Sequence, residues 1–122
     1  MKNKTTLVIG ASPNPERFSH KAVKLLKRKG YKVIPVGRRK GEIEGIPILL
    51  FDEQLSLPIH TLSIYLSPGG QKQWYEYLTS LKPRRVIFNP GTENEELEDH
   101  WRKRGVEIIK NCNIKMLLND IY

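Results

Sequence analysis

Residues 5–36 form a strand–loop–helix–strand pattern. The first run, TTLVIG at residues 5–10, is β-branched and apolar and ends at a glycine, as a buried parallel strand does. A polar loop follows at residues 11–17, and the pattern then predicts a helix over 19–29 and a second strand over 32–36. A helix that connects two such strands crosses over in the right-handed sense, so the strands lie side by side and parallel.

The predicted first helix is amphipathic, and both of its ends carry signals. Its apolar face would be formed by Phe18, Ala22, Leu25 and Leu26, which recur with helical spacing. Ser19 is placed to cap the amino end of the helix. Gly30 is placed at the C′ position, where a left-handed residue ends many helices. We expect the helix to pack on the two strands through this apolar face.

The same alternation continues through the rest of the chain. Strands are predicted at residues 61–66, 85–88 and 106–109, with a short extended segment at 46–50, and helices near 71–81 and 93–104. A charged loop is expected at 37–45. The tail at 110–122 is ambiguous, with Met116, Leu117, Leu118 and Ile121 available for a short helix that packs on the domain or on another subunit. We therefore expect one α/β domain over residues 1–122, with a doubly wound open parallel sheet of about five strands.

The composition agrees with a single folded domain. The chain has 122 residues, of which 39% are hydrophobic and 28% charged, as in globular, water-soluble proteins. No apolar run approaches the roughly 20 residues of a membrane span, and the N-terminus lacks the pattern of a secretory signal. The one cysteine, Cys112, can form no internal disulfide. We expect a cytoplasmic protein that does not contact membranes.

Positive charge is concentrated in the first 50 residues. They hold twelve Lys and Arg against three acidic side chains, whereas residues 51–122 hold nine against ten. Such a field attracts polyanions, which include nucleic acids and multiply phosphorylated ligands. Solubility is a sufficient explanation for the cations of the first helix, Lys21, Lys24, Lys27 and Arg28. We do not expect nucleic acid as a partner, because the aromatic residues that could stack on bases are concentrated outside the basic segment.

The loop after the first strand has the composition of a phosphate site. In doubly wound sheets this loop lies at the carboxyl ends of the strands and delivers phosphates to the next helix, whose free N–H groups and dipole favour anions. Ser12, Asn14 and Ser19 can donate hydrogen bonds to phosphate oxygens, and Arg17 can add a charged fork. The alternative is an ordinary turn, which often contains Ser, Pro and Asn.

The loop lacks the fingerprint of dinucleotide-binding proteins. A G-x-G-x-x-G pattern would need glycines at Ser12 and Pro15, and it expects an acid after the second strand to bind a ribose hydroxyl. That position is followed here by Arg38, Arg39 and Lys40, which favour a phosphate on the ribose. This argues against NAD and leaves coenzyme A, with NADP as the alternative. Each feature alone fits a turn or a solvated loop, but together they flank one crevice and favour a ligand.

A family resemblance is carried by residues 8–36, VIGASPNPERFSHKAVKLLKRKGYKVIPV. This segment resembles the opening of the small stand-alone coenzyme A-binding proteins. It is also similar to the N-terminal domain of the succinyl-CoA synthetase α-subunit, whose Rossmann-like fold holds coenzyme A. The likeness continues through GIPIL at 45–49, SIYLSPGG at 63–70, VIFNPGTENEEL at 86–97 and NC at 111–112. It implies a Rossmann-like fold and coenzyme A or an acyl-CoA as the ligand.

The resemblance also implies roles for individual positions. Phosphate contacts would be made by Ser12, Pro13, Asn14 and Pro15. Lys40 would reach the ribose phosphate, and the wall for pantetheine or adenine would contain Phe88, Asn89 and Pro90. The chain departs from the family pattern at Thr61, where the strand is usually led by an acid, and in loop 89–92, which lacks an aromatic or glutamine pair. These departures leave the thiol end of the ligand least defined.

The sequence contains no evident catalytic constellation. His20, His60 and His100 lie on different predicted elements, with His20 and His100 expected on or near polar helix faces. Cys112 has no neighbouring base, and no His or Cys group has metal-ligand spacing. We therefore expect no metal, and a ligand-binding or regulatory module without catalysis of its own. An NADP-binding oxidoreductase-like protein is the alternative, and a homo-oligomer or a protein partner stays open.

Overall fold

A computed structural model describes residues 4–51, 55 and 58–122. Its first half contains β1 (Thr6–Ile9), α1 (Phe18–Arg28), β2 (Val33–Gly37), β3 (Glu42–Ile43), β4 (Ile46–Pro47) and β5 (Leu49–Leu50). Its second half contains β6 (Thr61–Ile64), α2 (Pro68–Gln73), α3 (Tyr75–Ser80), β7 (Arg85–Phe88), α4 (Glu95–Arg102), β8 (Glu107–Lys110) and α5 (Asn113–Leu118). Within this described part, no helix is both long and apolar enough to cross a membrane.

Six of the strands form one parallel sheet in the order β5-β2-β1-β6-β7-β8. The chain starts in the middle at β1, runs outward through β2 to β5, and returns to the other side of β1 with β6. The strand order therefore reverses between β1 and β6, and doubly wound sheets bind ligands at this crevice. The predicted Rossmann-like open parallel sheet is confirmed, with six strands in place of about five.

The additional strand comes from a segment that is divided between two sheets. Within the region predicted as extended, β4 pairs antiparallel with β3, whereas β5 joins the main sheet beside β2. The prediction of a charged loop over 37–45 is therefore partly wrong, because that segment contains β3. Glu44 and Gly45 both have positive φ, at 47° and 84°, and together they form the tight turn of this β3–β4 hairpin.

The apolar side chains of the strands fill two cores, one on each face of the sheet. Leu7 and Ile9 of β1 pack in the core that contains residues of α3 and α4, whereas Val8 packs with residues of α1 and α5. This alternation follows from the two-residue period of a strand. Because helices cover both faces, β1, β6 and β7 are buried at every position.

The sequence predicted the residue that ends α1 correctly, but not the residue that caps its beginning. The helix begins at Phe18 with Arg17 as its N-cap residue, so the prediction of a Ser19 cap is wrong. Ser19 lies inside the first turn, where it is buried. At the other end, Gly30 has φ +88° and the Tyr31 N–H donates to Leu26 O at 3.0 Å, which confirms the predicted C′ glycine.

The remaining helices are shorter than their sequence patterns suggest. The helix predicted near 71–81 is interrupted at Trp74, whose φ and ψ of −114° and 20° separate α2 from α3. The helix predicted near 93–104 is α4, which begins after the cap residue Asn94. The ambiguous tail forms α5, and its Met116 and Leu117 are buried in the same core as α1. This part of the tail therefore packs on its own domain.

Candidate ligand-binding cavity

A cavity of about 450 Å³ lies at the carboxyl ends of β1 and β6. Three segments line it: residues 10–14 and 17–19 from the loop after β1 and the start of α1, Arg38 and Arg39 after β2, and Tyr65 and Leu66 after β6. We call it the carboxyl-edge cavity, and we call residues 10–17 the first loop and residues 38–40 the basic loop. Its position at the reversal of strand order is the one where doubly wound sheets bind ligands.

Close backbone contacts shape the first loop. The N–H groups of Gly10 and Ala11 both donate to Val36 O at 2.9 Å, which ties the loop to the end of β2. Gly10 has φ +92°, a conformation that glycine adopts without strain. At Gly37, a Cβ atom would lie 2.1 Å from the Ala11 carbonyl oxygen. Glycine at position 37 therefore allows the first loop to pass directly against β2.

Two side chains of the first loop hold its turns. Ser12 Oγ accepts a hydrogen bond from the Asn14 N–H at 3.1 Å, and Asn14 Oδ1 accepts one from the Glu16 N–H at 3.0 Å. Ser12 can still donate its hydroxyl proton, and the Asn14 Nδ2 group has no partner among the described residues. Both residues line the cavity, so each combines a turn role with a free donor.

His20 fixes the first loop from beneath. Its side chain is buried, and its Nδ1–H donates to the Ser12 carbonyl oxygen at 2.9 Å. The expectation that His20 lies on a polar helix face is therefore wrong: the first loop covers this part of α1, and the ring faces the loop. The bond assigns the Nδ1–H tautomer, because a carbonyl oxygen can only accept.

The amino end of α1 lacks the features that usually satisfy a helix terminus. It has no side-chain cap and no acidic residue in its first turn. By contrast, Asn94 caps α4 by accepting from the N–H groups of Glu96 and Leu97, and the first turn of α4 is acidic. The free N–H groups of α1 and its dipole therefore remain available to an anion in the carboxyl-edge cavity.

Three arginines give the cavity a positive field. Arg17, Arg38 and Arg39 line it, and no Asp or Glu is among the described residues that do so. Arg38 Nη2 lies 3.4 Å from the position that a Cβ of Gly70 would take, so its guanidinium spans from the end of β2 to the start of α2. Free helix N–H groups and guanidinium forks together favour a phosphorylated ligand.

Five residues of the cavity wall were not predicted as ligand contacts: Gly10, Ala11, Phe18, Tyr65 and Leu66. Phe18 was expected in the core, but its side chain is 69% exposed and its ring lies 5.3 Å from Lys21 Nζ.

The phenol oxygen of Tyr65 is buried without a hydrogen-bond partner in the described chain, and burial raises the pKa of this phenol. Tyr65 therefore stays neutral at physiological pH. Tyr65 and Leu66 were not predicted because the strand was expected to continue to residue 66, whereas β6 ends at Ile64.

Five other candidates do not line this cavity. Pro15, Lys40 and Pro90 are exposed outside it. Phe88 has no exposed surface, and its ring packs in the core 6.2 Å from the Trp101 ring. Asn89 is buried at the end of β7, where it donates to Ser63 Oγ and Ile64 O and accepts from the Asn113 N–H. These bonds join β6, β7 and α5, so Asn89 holds the fold at this edge.

Solved structures share this architecture. An uncharacterised protein of known crystal structure is 42% identical to this chain and superposes with a TM-score of 0.90 over 98% of each chain. A protein from Thermus thermophilus is 22% identical and superposes with a TM-score of 0.84, covering 98% of this chain and 91% of its own. The second likeness concerns the fold alone.

Sequence comparison points in the same direction. Uncharacterized protein YneT from Bacillus subtilis (strain 168) is 26% identical over 121 residues, which cover 94% of this chain and 85% of that protein. The family described as CoA binding domain matches residues 4–118. This match includes the first loop, the basic loop and every strand of the sheet. A chain with this sheet, this cationic crevice and this match belongs to the CoA-binding domain family.

Proposed function

We propose that the protein binds coenzyme A or an acyl-CoA in the carboxyl-edge cavity and acts as a ligand-binding or regulatory module. The observation that carries the proposal is the uncapped amino end of α1, which opens into a cavity lined by three arginines in a chain of this family. A diphosphate there would accept hydrogen bonds from the free N–H groups of α1, from the Ser12 hydroxyl and from Asn14 Nδ2.

The basic loop would bind the phosphate on the ribose. Arg38 and Arg39 line the wall opposite α1, at the end of β2, where a Rossmann-like fold holds the ribose of a nucleotide. Lys40 is exposed beside them and would add to the field rather than make a direct contact. NADP also carries a ribose phosphate, so this loop alone does not distinguish the two ligands. Family membership favours coenzyme A.

The residues of the wall are suited to binding a phosphorylated ligand. Among the described residues that line the cavity there is no His, Cys, Asp, Glu or Lys that could act as a base or nucleophile. The phenol of Tyr65 has a raised pKa, which makes it a poor base at physiological pH. The wall thus offers hydrogen-bond donors, positive charge and apolar surface, which are the features that bind a phosphorylated ligand.

Calorimetric titration of the unmodified protein tests the ligand. We expect coenzyme A to bind at least tenfold more tightly than NADP, and 3′-dephospho-coenzyme A to bind more weakly than coenzyme A. The expected preference over NADP rests on family membership. The weaker binding of 3′-dephospho-coenzyme A has a physical reason, since the ribose phosphate adds charge-assisted hydrogen bonds, each worth about 1.5–3 kcal/mol. Tighter binding of NADP would replace the proposal by the oxidoreductase-like alternative.

The role of the basic loop is tested by changing Arg38, Arg39 and Lys40 together to alanine. We expect the affinity for coenzyme A to fall about 100-fold, and the affinity for 3′-dephospho-coenzyme A to fall less than about tenfold, because about 1.4 kcal/mol corresponds to tenfold. A variant with Lys72, Lys103 and Lys115 changed to alanine, all exposed and outside the cavity, removes the same charge as a control. Equal losses for both ligands would mean that the loop supplies only a general field.

A further inference from the structure

The opposite edge of the sheet carries a row of basic residues. The parallel register pairs Thr6 with Val33 and Thr61, and Thr61 with Arg85. The residues that precede these strands, Lys32, Thr5, His60 and Arg84, therefore stand in line across β2, β1, β6 and β7. Backbone bonds hold the line: the His60 N–H donates to Thr5 O, and the Arg84 N–H to His60 O, both at 3.0 Å.

A cavity of about 560 Å³ opens on this row. Its walls contain Lys4, Lys32, His60 and Arg84, with Pro58 and Ile59 on its apolar side, and we call it the amino-edge pocket. No carboxylate is among the described residues that line it. Neighbouring strands are about 4.8 Å apart, so the row from Lys32 to Arg84 spans about 14 Å. A chain of linked phosphates can therefore contact more of these side chains at once than a single phosphate group can.

Arg85 adds a buried positive charge behind the pocket. It is 6% exposed, its Nε–H donates to Thr61 Oγ1 at 2.7 Å, and its guanidinium lies 4.3 Å from the Tyr122 ring centroid. Its Nη2 group is buried and has no hydrogen-bond partner in the described chain. Arg85 forms no ion pair with a carboxylate among the described residues, so its positive charge acts on the neighbouring Lys4 and His60.

The charges around the pocket repel one another. Burial and the neighbouring Arg85 charge lower the pKa of Lys4. Burial lowers the pKa of His60, and the charges of Arg85, Lys4 and Arg84 lower it further. Glu107, at the start of β8, opposes these effects on both groups. Lys4 Nζ also donates to the Tyr122 main-chain oxygen at 2.5 Å. An added anion would relieve the repulsion that remains among His60, Arg84 and Arg85.

We propose that the amino-edge pocket is a second anion site, which binds the phosphate chain of a small oligophosphate-bearing ligand. The proposal does not depend on coenzyme A, because the pocket lies at the opposite ends of the strands from the carboxyl-edge cavity. The length of the cationic row selects a ligand with two or more linked phosphates over a single phosphate. The buried Arg85 guanidinium adds a positive charge beside the pocket, and water screens this charge less than it screens a charge on a solvated surface.

Titration with inorganic tripolyphosphate tests the site. In about 0.15 M salt, which screens weak surface attraction, we expect Lys32→Ala with Arg84→Ala to lower the affinity at least tenfold. Both residues are exposed, so the fold should persist. Because the carboxyl-edge cavity also favours phosphates, the titration is repeated with these two changes added to an Arg38→Ala and Arg39→Ala background, where the tenfold loss should persist. No loss in that background would overturn the second site while leaving the coenzyme A proposal intact, and binding of a single-stranded oligonucleotide without binding of tripolyphosphate would also overturn it.

His60 provides a local readout. Its imidazole pKa, measured by NMR and assigned with a His60→Gln variant, should rise by about one unit when tripolyphosphate binds, since the anion offsets the charges of Lys4, Arg84 and Arg85. The NMR signals of the His20 and His100 rings, which lie on other elements, should change much less. A pKa of His60 that does not respond, or an equal change at all three histidines, would refute a site at this pocket.

Discussion

Replacing Gly37 by alanine is expected to lower the melting temperature by about 10 °C and to abolish detectable binding of coenzyme A. The new Cβ would lie 2.1 Å from the Ala11 carbonyl oxygen and 3.2 Å from its carbon. Both are backbone atoms, so no change of rotamer relieves the contact. The first loop would have to move away from β2, which breaks the bonds that Gly10 and Ala11 donate to Val36 O. A cost of about 3 kcal/mol is in the range of severe backbone clashes.

The matched control for this variant is Gly69→Ala. A Cβ at Gly69 meets nothing within 4 Å, and the residue lies in α2, where alanine is the better helix former. Its melting temperature should equal or exceed that of the parent. Circular dichroism follows unfolding, and titration at 25 °C follows the ligand. If Gly37→Ala melted within about 2 °C of the parent, the close approach of the first loop to β2 would be contradicted.

Changing Asn14 to aspartate is expected to weaken coenzyme A binding at least about 100-fold while leaving the melting temperature nearly unchanged. Aspartate keeps the oxygen that accepts the Glu16 N–H, so the turn survives. It removes the Nδ2 donor and adds a negative charge beside the proposed diphosphate. The lost bond alone corresponds to about 1.5–3 kcal/mol, and the repulsion adds to it. Calorimetric titration measures the loss.

Asn119→Asp is the control for the added charge. Asn119 is exposed at the carboxyl end of α5 and does not line the cavity, so its variant should bind ligand as the parent does. A role of Asn14 in the turn alone forecasts unchanged affinity for Asn14→Asp as well. That result would remove the phosphates from the first loop and would leave the basic loop as the main support of the proposed function.

Local patterns predicted the parts of the fold that depend on neighbouring residues. The β1–α1–β2 unit follows from two apolar runs and the helical spacing between them, and Gly30 follows from its need for positive φ at a helix end. Such signals lie within about one turn of helix or one strand, so neighbouring residues in the sequence are enough to identify them. The first loop was predicted for the same reason, because a loop after the first strand of a parallel sheet must lie at the carboxyl edge.

The positions that the sequence left undetermined depend on contacts between distant segments. The extended segment at 46–50 was predicted, but its division between two sheets was not: Leu49 and Leu50 join the main sheet because β2 offers them an open edge. Phe18 has the spacing of a core residue, but it is the first residue of α1 and lies in the cavity wall. Tyr65 and Leu66 join the wall because β6 pairs with β1, a pairing across more than 50 residues that no local pattern reveals.

The same distinction applies to the ligand-contact candidates. The sequence by itself indicated that the first loop and the basic loop follow adjacent strands, because a right-handed helical crossover most often places consecutive parallel strands side by side. Tertiary structure decided which of their side chains reach the cavity: Arg38 and Arg39 do, whereas the exposed Lys40 does not line it. It also placed Phe88 in the core, because β7 lies one strand away from the crevice and helices cover both of its faces. Composition and order along the chain set the local conformations, and packing across the sheet set which residues meet.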